Sequence, residues 1–335
     1  MTVLGPIAPD TLGPTLMHEH VLCDITPPAL AAKGGPEAEI TLETCWEIRH
    51  QWCNHLGNHR LTDEAVAIAE LERLHAEGGR ALVELTCAGI APHPAGLARV
   101  SAASGVHIVM GCGFYVEAYL DASARGASVD WLAGEMVAAV RHGMGGIRAG
   151  IIGEIGLSSP WTEAEKRVLA AAAVAQCGTG ASLNVHPPRS PFDLVEVVEF
   201  IRAHGGDPER LVMSHVDRTL FDVDGLVRLA DTGCVIEFDF FGIESSWYPF
   251  QPDIDLPNDG TRLRLLRGLA DSGHLDRIAV SQDICTRTRL VSGGGHGYGH
   301  LFRNVIPLMR LRGFTEAEIE QMFVHTPRRL LTIAA

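Results

Sequence analysis

TLMHEHV, residues 15–21, is the stretch on which the fold turns. Its apolar opening reads as a buried strand, and its polar end sets His18 and His20 two positions apart. Residues two apart on a strand point to the same side. Both imidazoles therefore face one interior, where together they can grip a metal ion. Taken alone the pair also has a plainer reading, as two polar residues at a strand end.

Seven more apolar runs share this character: ALVELT (81–86), HIVMGCG (107–113), GIIGEIG (150–156), SLNVH (182–186), LVMSH (211–215), CVIEFDF (234–240) and IAVSQD (278–283). Helical periodicity fills most gaps, at 62–78, 129–142, 162–177, 191–204, 222–232 and 261–273, with two further stretches near 299–311 and 315–332. The 62–78 stretch opens on a Thr cap and closes on Gly. The 162–177 stretch opens with TEAE, a capping-box pattern. Strands alternating with helices imply parallel βα units, and near-continuous apolar strands imply a sheet covered on both faces. The expected fold is α/β, a (β/α)8 TIM barrel forming one domain over residues 1–335. It should carry a short hairpin in 1–14 and long loops after strands 1, 7 and 8, all three at the C-terminal face where barrels keep their active sites. An open doubly wound sheet is the alternative, but no G-x-G-x-x-G turn follows the first strand.

Composition narrows the function. The chain has 335 residues, 46% of them hydrophobic, and a formal net charge of −14. Such acidity disfavours nucleic acid and anionic membrane surfaces as partners. No stretch reaches the ~20 apolar residues of a membrane helix, and MTVLGPIAPD lacks the form of a signal peptide. The eight cysteines form no C-x-x-C pair and read as reduced thiols of a cytoplasmic protein. A homodimer is the base-rate expectation, and a small anionic molecule the expected partner.

The ends of the other runs carry the chemistry. Glu154, His186, His215 and Asp283 each follow an apolar run at the level where a strand should end. Each has a bland reading of its own, since buried His often satisfies a backbone group and Asp often caps a helix. Five strands supplying only His, Glu or Asp at one level make a metal site the better reading. Four histidines and two carboxylates suit zinc, and manganese or cobalt would also accept them.

The segments GPTLMHEHV, IIGEIG, NVHPPR, MSHVDRT and SQDI resemble the phosphotriesterase family of the amidohydrolase superfamily, in order and spacing across nearly the whole chain. GVHIVMGCGFYV, DICTRTRL and GGGHGYGH are most similar to its phosphotriesterase-related branch. The resemblance implies that His18 and His20, completed by Asp283, hold a buried metal, and that His186 and His215 hold a more exposed one. In much of the family a carboxylated lysine bridges the ions. Here the matching residue is Glu154, and the only lysines, Lys33 and Lys166, lie elsewhere. The expected cofactor is thus two divalent ions, most simply Zn2+, bridged by Glu154 and hydroxide. The ions would bring that water to hydroxide near neutral pH, and Asp283 would pass its proton to the leaving group.

Substrate contacts are sought just beyond the strand ends. Tyr115, Arg189, Arg218, Arg287 and Arg289 are the candidates, because arginine forks recognise carboxylate, sulfonate and phosphate. Pairing with acids such as Asp217 and Asp239 is the competing reading. His296 and Tyr298 would belong to a lid, and Trp46, Trp52 and Trp247 would wall the pocket or pack beneath the loops. The branch implies hydrolysis of small N-acyl amino acids, with N-acetyltaurine the type substrate. A lactonase with promiscuous phosphotriesterase activity is the runner-up, and a non-catalytic small-molecule binder the remote alternative.

Overall fold

The computed structural model describes residues 1–52, 54–189 and 192–333. Eight strands form one parallel sheet in chain order: β1 (Thr15–Glu19), β2 (Ala81–Glu84), β3 (His107–Cys112), β4 (Ile151–Gly156), β5 (Leu183–His186), β6 (Leu211–Met213), β7 (Val235–Phe238) and β8 (Ile278–Val280). Side chains close the ring between β8 and β1. The Ser281 hydroxyl accepts from the His18 N–H at 2.9 Å and donates to the His18 carbonyl at 2.7 Å. The Asp283 N–H donates to the same carbonyl at 3.0 Å. All eight expected runs are strands of a TIM barrel.

Two irregularities aim the site. Met17 packs with Ala81, Val83, Val109, Ile151, Val212, Val235 and Ala279 inside the barrel, whereas Leu16 belongs to the larger core between strands and helices. Strict alternation from Met17 would turn His18 outward. The β1–β2 register shifts between Leu16 and Glu19, and this bulge re-phases the strand so that His18 and His20 face inward. β4 repeats the device: its register against β5 shifts between Ile152 and Ile155, around Glu154. Gly153 makes the second bulge possible. Its φ is 131°, and a Cβ there would lie 2.5 Å from the Asn184 carbonyl oxygen.

Helices cover the outside, with bounds close to those expected, such as Glu64–Ala76, Val129–Arg141 and Glu163–Thr179. Residue 191, the first of one expected helix, lies outside the described residues, and the helix there spans Leu194–Ala203. The longest helix that was not expected is Pro94–Ser104, capped by His93 and ended by Gly105 at φ 72°. Its sequence is rich in Ala, Gly and Ser, so only Leu97 and Val100 mark its buried face. The last two stretches are helical but widen into π turns at Leu301–Val305 and Gln321–His325. Each precedes a proline, Pro307 or Pro327, that has no N–H to donate. No helix among the described residues is long and apolar enough to cross a membrane.

The N-terminus turns back on itself through an antiparallel bridge between Thr2 and Gly5. The loop after β1 is pinched at its base, where Cys23–Asp24 pairs antiparallel with Arg60–Leu61. Its tip folds into short helices, Pro28–Lys33 and Cys45–Gln51. A small core of Phe240, Ile243, Tyr248 and Leu256, with Trp52 against it, joins this loop to the one after β7.

Candidate metal centre

His18, His20, Glu154, His186, His215 and Asp283 converge at the C-terminal end of the barrel. Glu154 stands between two pairs of histidines. Its Oε2 lies 3.8 Å from His18 Nε2 and 3.8 Å from His20 Nε2. Its Oε1 lies 2.6 Å from His186 Nδ1 and 2.8 Å from His215 Nε2. Asp283 Oδ1 joins the first pair, 3.7 Å from His18 Nε2 and 3.4 Å from His20 Nε2. Donor atoms around a tetrahedral ion with bonds of about 2.0 Å sit about 3.3 Å apart. The first set is slightly wider, at 3.4–3.8 Å, and the second is drawn closer by direct hydrogen bonds. His18–His20–Glu154 and Glu154–His186–His215 thus form two buried ligand groups sharing one carboxylate.

The residues fit two ions for a further reason. Among the described residues, buried His18 Nε2 has no hydrogen-bond partner, and it faces oxygens of Glu154 and Asp283 at 3.8 and 3.7 Å, a setting that a shared cation satisfies. The rings are held from behind. His18 Nδ1 lies 3.1 Å from the Ser214 hydroxyl and 3.2 Å from Asp239. His20 Nδ1 lies 2.9 Å from Thr86 Oγ1. His215 Nδ1 lies 2.9 Å from Asp239 Oδ1, and its own N–H donates to Asp239 Oδ2 at 3.0 Å. Such contacts fix the ring tautomer so that Nε2 is left for the metal. Glu19, between the two histidines, points into the β1–β8 seam and accepts the N–H groups of Gln282 and Ile284, both at 2.9 Å.

Electrostatics agree with the geometry. Burial opposes a charge on His18, but Glu154, Asp239 and Glu237 outweigh it and hold its pKa well above the ordinary value. Burial likewise opposes charge on His215, and the charge and hydrogen bond of Asp239 raise its pKa to about 9. His186 behaves differently, since burial pulls it down to about 3.

Several candidate ligands lie past the strands rather than on them. β6 ends at Met213 and β8 at Val280, so His215 and Asp283 sit on the turns that follow, at φ 53° and 48°. Left-handed backbone is uncommon for such residues and clusters at functional sites.

The candidate substrate residues scatter more widely. The Tyr115 hydroxyl is 3.5 Å from His186 Nδ1. Arg189 is half-buried, with Nε donating to the Tyr248 hydroxyl at 3.2 Å. Arg218 is buried against His186. Arg289 spends its guanidinium on backbone carbonyls, those of Asp283 at 2.6 Å, Phe241 at 3.3 Å and Gln282. His296 Nε2 is 3.4 Å from Arg289 Nε. Arg289 and His296 line a cavity of about 240 Å³ with Trp46, Trp52 and Trp247. The other five candidates do not line this cavity: Tyr115, Arg189 and Arg218 stand on the His186 side, and two lie farther off. Arg287 is exposed and lines a recess with Arg60 and Asp63. Tyr298 is buried, its hydroxyl donating to the His20 carbonyl at 2.6 Å, which makes it a support of the first ligand pair. The competing acid pairings do not form as expected. Asp217 pairs with Arg262 at 2.7 Å, and Asp239 serves the histidines.

A model of the phosphotriesterase family matches residues 1–331. The chain belongs to the phosphotriesterase family. It is 40% identical to human N-acetyltaurine hydrolase over 99% of this chain and 97% of that protein. Among solved structures, a resiniferatoxin-binding protein from Rhodobacter sphaeroides superposes with a TM-score of 0.92 at 37% identity, covering 99% of this chain and 94% of the other. A PTE-like lactonase mutant from Deinococcus radiodurans superposes with a TM-score of 0.78 at 27% identity, covering 99% of each. This family member is a hydrolase with a His/Glu/Asp metal site.

Sequence reasoning passed over Asp239 and Glu237 as parts of this site. Glu237 Oε2 lies 3.3 Å from His18 Nδ1 and 2.8 Å from the Ser214 hydroxyl. The signal was the same as for the histidines: CVIEFDF sets two acids two apart on a strand of apolar residues, so both face the interior.

Proposed function

We propose that the chain is a zinc-dependent amidohydrolase that cleaves small N-acyl amino acids or N-acyltaurine-like anionic amides. One observation carries the reading: Glu154 turns one oxygen to each histidine pair, in a chain 40% identical over its full length to N-acetyltaurine hydrolase. Bound to these ligands, two ions would lower the pKa of a water and polarise a scissile carbonyl. The protein's own groups do the rest. Glu154, His18 and His20 fix where the attacking water stands. Asp283 has the most open side chain of the six ligands, 13% exposed, and is placed to take the proton and return it to the leaving amine. The Tyr115 hydroxyl, beside His186, is placed to donate to the substrate's oxygen.

A lactonase is the second reading, supported by the likeness to the Deinococcus lactonase; phosphotriester hydrolysis would be a side activity. The same ligands serve all three reactions, so a panel of N-acyl amino acids, N-acyltaurines, lactones and a phosphotriester, assayed with zinc-loaded protein, separates them. Amide hydrolysis should dominate, and Asp283→Asn should lower kcat by about 10²- to 10⁴-fold. Lactone opening without amide hydrolysis reverses the order of the two readings. No turnover of any substrate, with ligands bound equally by Asp283→Asn, leaves a binding protein instead.

A further inference from the structure

Arg218 is a buried cation with no carboxylate in contact among the described residues. It is 1% exposed. Its Nη2 donates to the Pro187 carbonyl at 3.1 Å and meets His186 Nε2 at 3.2 Å, while its Nη1 is buried with no partner at all. Among the described residues no carboxylate lies within ion-pair distance of it. Arg262, the other fully buried arginine, shows how this chain otherwise houses such a charge: Asp217 holds it at 2.7 Å and Asp259 at 3.0 Å. Burying a guanidinium without an anion is costly, so the exception calls for a reason.

Two neighbours sharpen it. Arg189 is also without an acid among the described residues, resting on the Tyr248 hydroxyl and over the Phe250 ring, 5.1 Å from its centre. His186 supplies the second clue. Its Nδ1 faces Glu154, so a neutral ring that gives the Nδ1 lone pair to a metal carries its hydrogen on Nε2. Without a metal Nε2 can accept from Arg218 at 3.2 Å; with a metal on Nδ1 the Nε2 hydrogen would point at Arg218, and two donors would meet with no acceptor between them. An anion placed there satisfies both and supplies the missing counter-charge.

We propose that Arg218, assisted by Arg189, seats the acid group of the substrate, a sulfonate or carboxylate joined by a short spacer to the scissile amide. The inference rests on the amide reading above for the identity of the substrate, and on the unpaired arginines alone for the anion. It assigns recognition to the His186 side of the centre. Arg289, which lines the large cavity, already has its guanidinium occupied by carbonyls.

The test separates the seat from the chemistry by using ketone analogues, in which a methylene replaces the amide nitrogen and nothing can be hydrolysed. Calorimetry on the metal-loaded protein would compare the sulfonate analogue, the carboxylate analogue and an uncharged ketone of the same length. The charged analogues should bind at least about tenfold more tightly than the neutral one. Arg218→Met should weaken them about 10- to 100-fold, Arg189→Met by a smaller factor, and Arg218→Lys should restore part of the loss. The stronger of the two acids identifies the headgroup. Metal content of each variant, measured alongside, shows that the centre is intact. In turnover, kcat/KM for the anionic amide relative to its neutral counterpart should collapse in Arg218→Met. Equal binding of charged and neutral ketones by the unaltered protein, or an unchanged preference in both arginine variants, overturns the proposal. Arginine-dependent binding of the ketones without hydrolysis of any amide keeps the seat and removes the amidase.

Discussion

Asp239 ties the two halves of the centre together. One carboxylate reaches the Nδ1 atoms of both His18 and His215, at 3.2 and 2.9 Å, and so orients a ligand from each group. Burial would push its pKa up, but His215 and His18 beside it hold it below the ordinary carboxylate value. It is therefore a fixed negative charge behind both rings. Replacing an outer partner of this kind commonly costs about 10- to 100-fold in metal affinity. Asp239→Asn should show that loss for both ions in competition with a chelator, because an amide that donates to one ring cannot accept from it. Unchanged affinity would reduce Asp239 to a packing residue. The site was only partly legible at this scale. His18, His20, Glu154, His186, His215 and Asp283 stand out because polar residues at the ends of apolar runs are rare and costly unless used. Arg287 and Arg289 look alike in sequence, yet one faces an outer recess and the other the cavity, because a single 3-10 turn, Arg287–Arg289, rotates them apart. No pattern of residue types announces that rotation.

The elements show which parts of the pattern survive folding. Strand positions were readable from apolar runs, but the facing of β1 and β4 was not. Each bulge adds one residue to one strand, and the shift that turns His18 and Glu154 inward leaves no mark in hydropathy beyond Gly153. The long loop after β1 was legible only as a length. Its base is the antiparallel pair Cys23–Asp24 with Arg60–Leu61, and His59, 2% exposed, sits beside that base. Burial, the largest cause, lowers the pKa of His59 to about 4. A histidine in the unfolded chain titrates near 6.5. Between these values the unfolded chain binds the extra proton, so the loop loses stability as pH falls from about 6.5 towards about 4 and keeps it above that window. The difference amounts to at most about 3 kcal/mol. His59→Gln should flatten this part of the melting-temperature profile relative to the unaltered protein. Parallel profiles for the two proteins would mean that His59 does not titrate in the window.

At the scale of the molecule, the barrel divides its labour between ends. Its lower interior is filled by Met17, Val83, Val109 and their neighbours and closed by Leu330 and Leu331. The upper end carries every candidate ligand, and the loops after β1, β7 and β8 meet over it around the 240 Å³ cavity. The net charge of −14 belongs to the whole chain; in the seat proposed above, Arg189 and Arg218 would supply the positive charge that meets the substrate's acid. We place two ions on one carboxylate at this end. Anomalous diffraction at the zinc edge from zinc-loaded crystals tests this placement most directly. Two peaks should stand about 3.5–4 Å apart, one on each oxygen of Glu154, the first among His18, His20 and Asp283 and the second between His186 and His215. A single peak, or two peaks with Glu154 bound to neither, would contradict it.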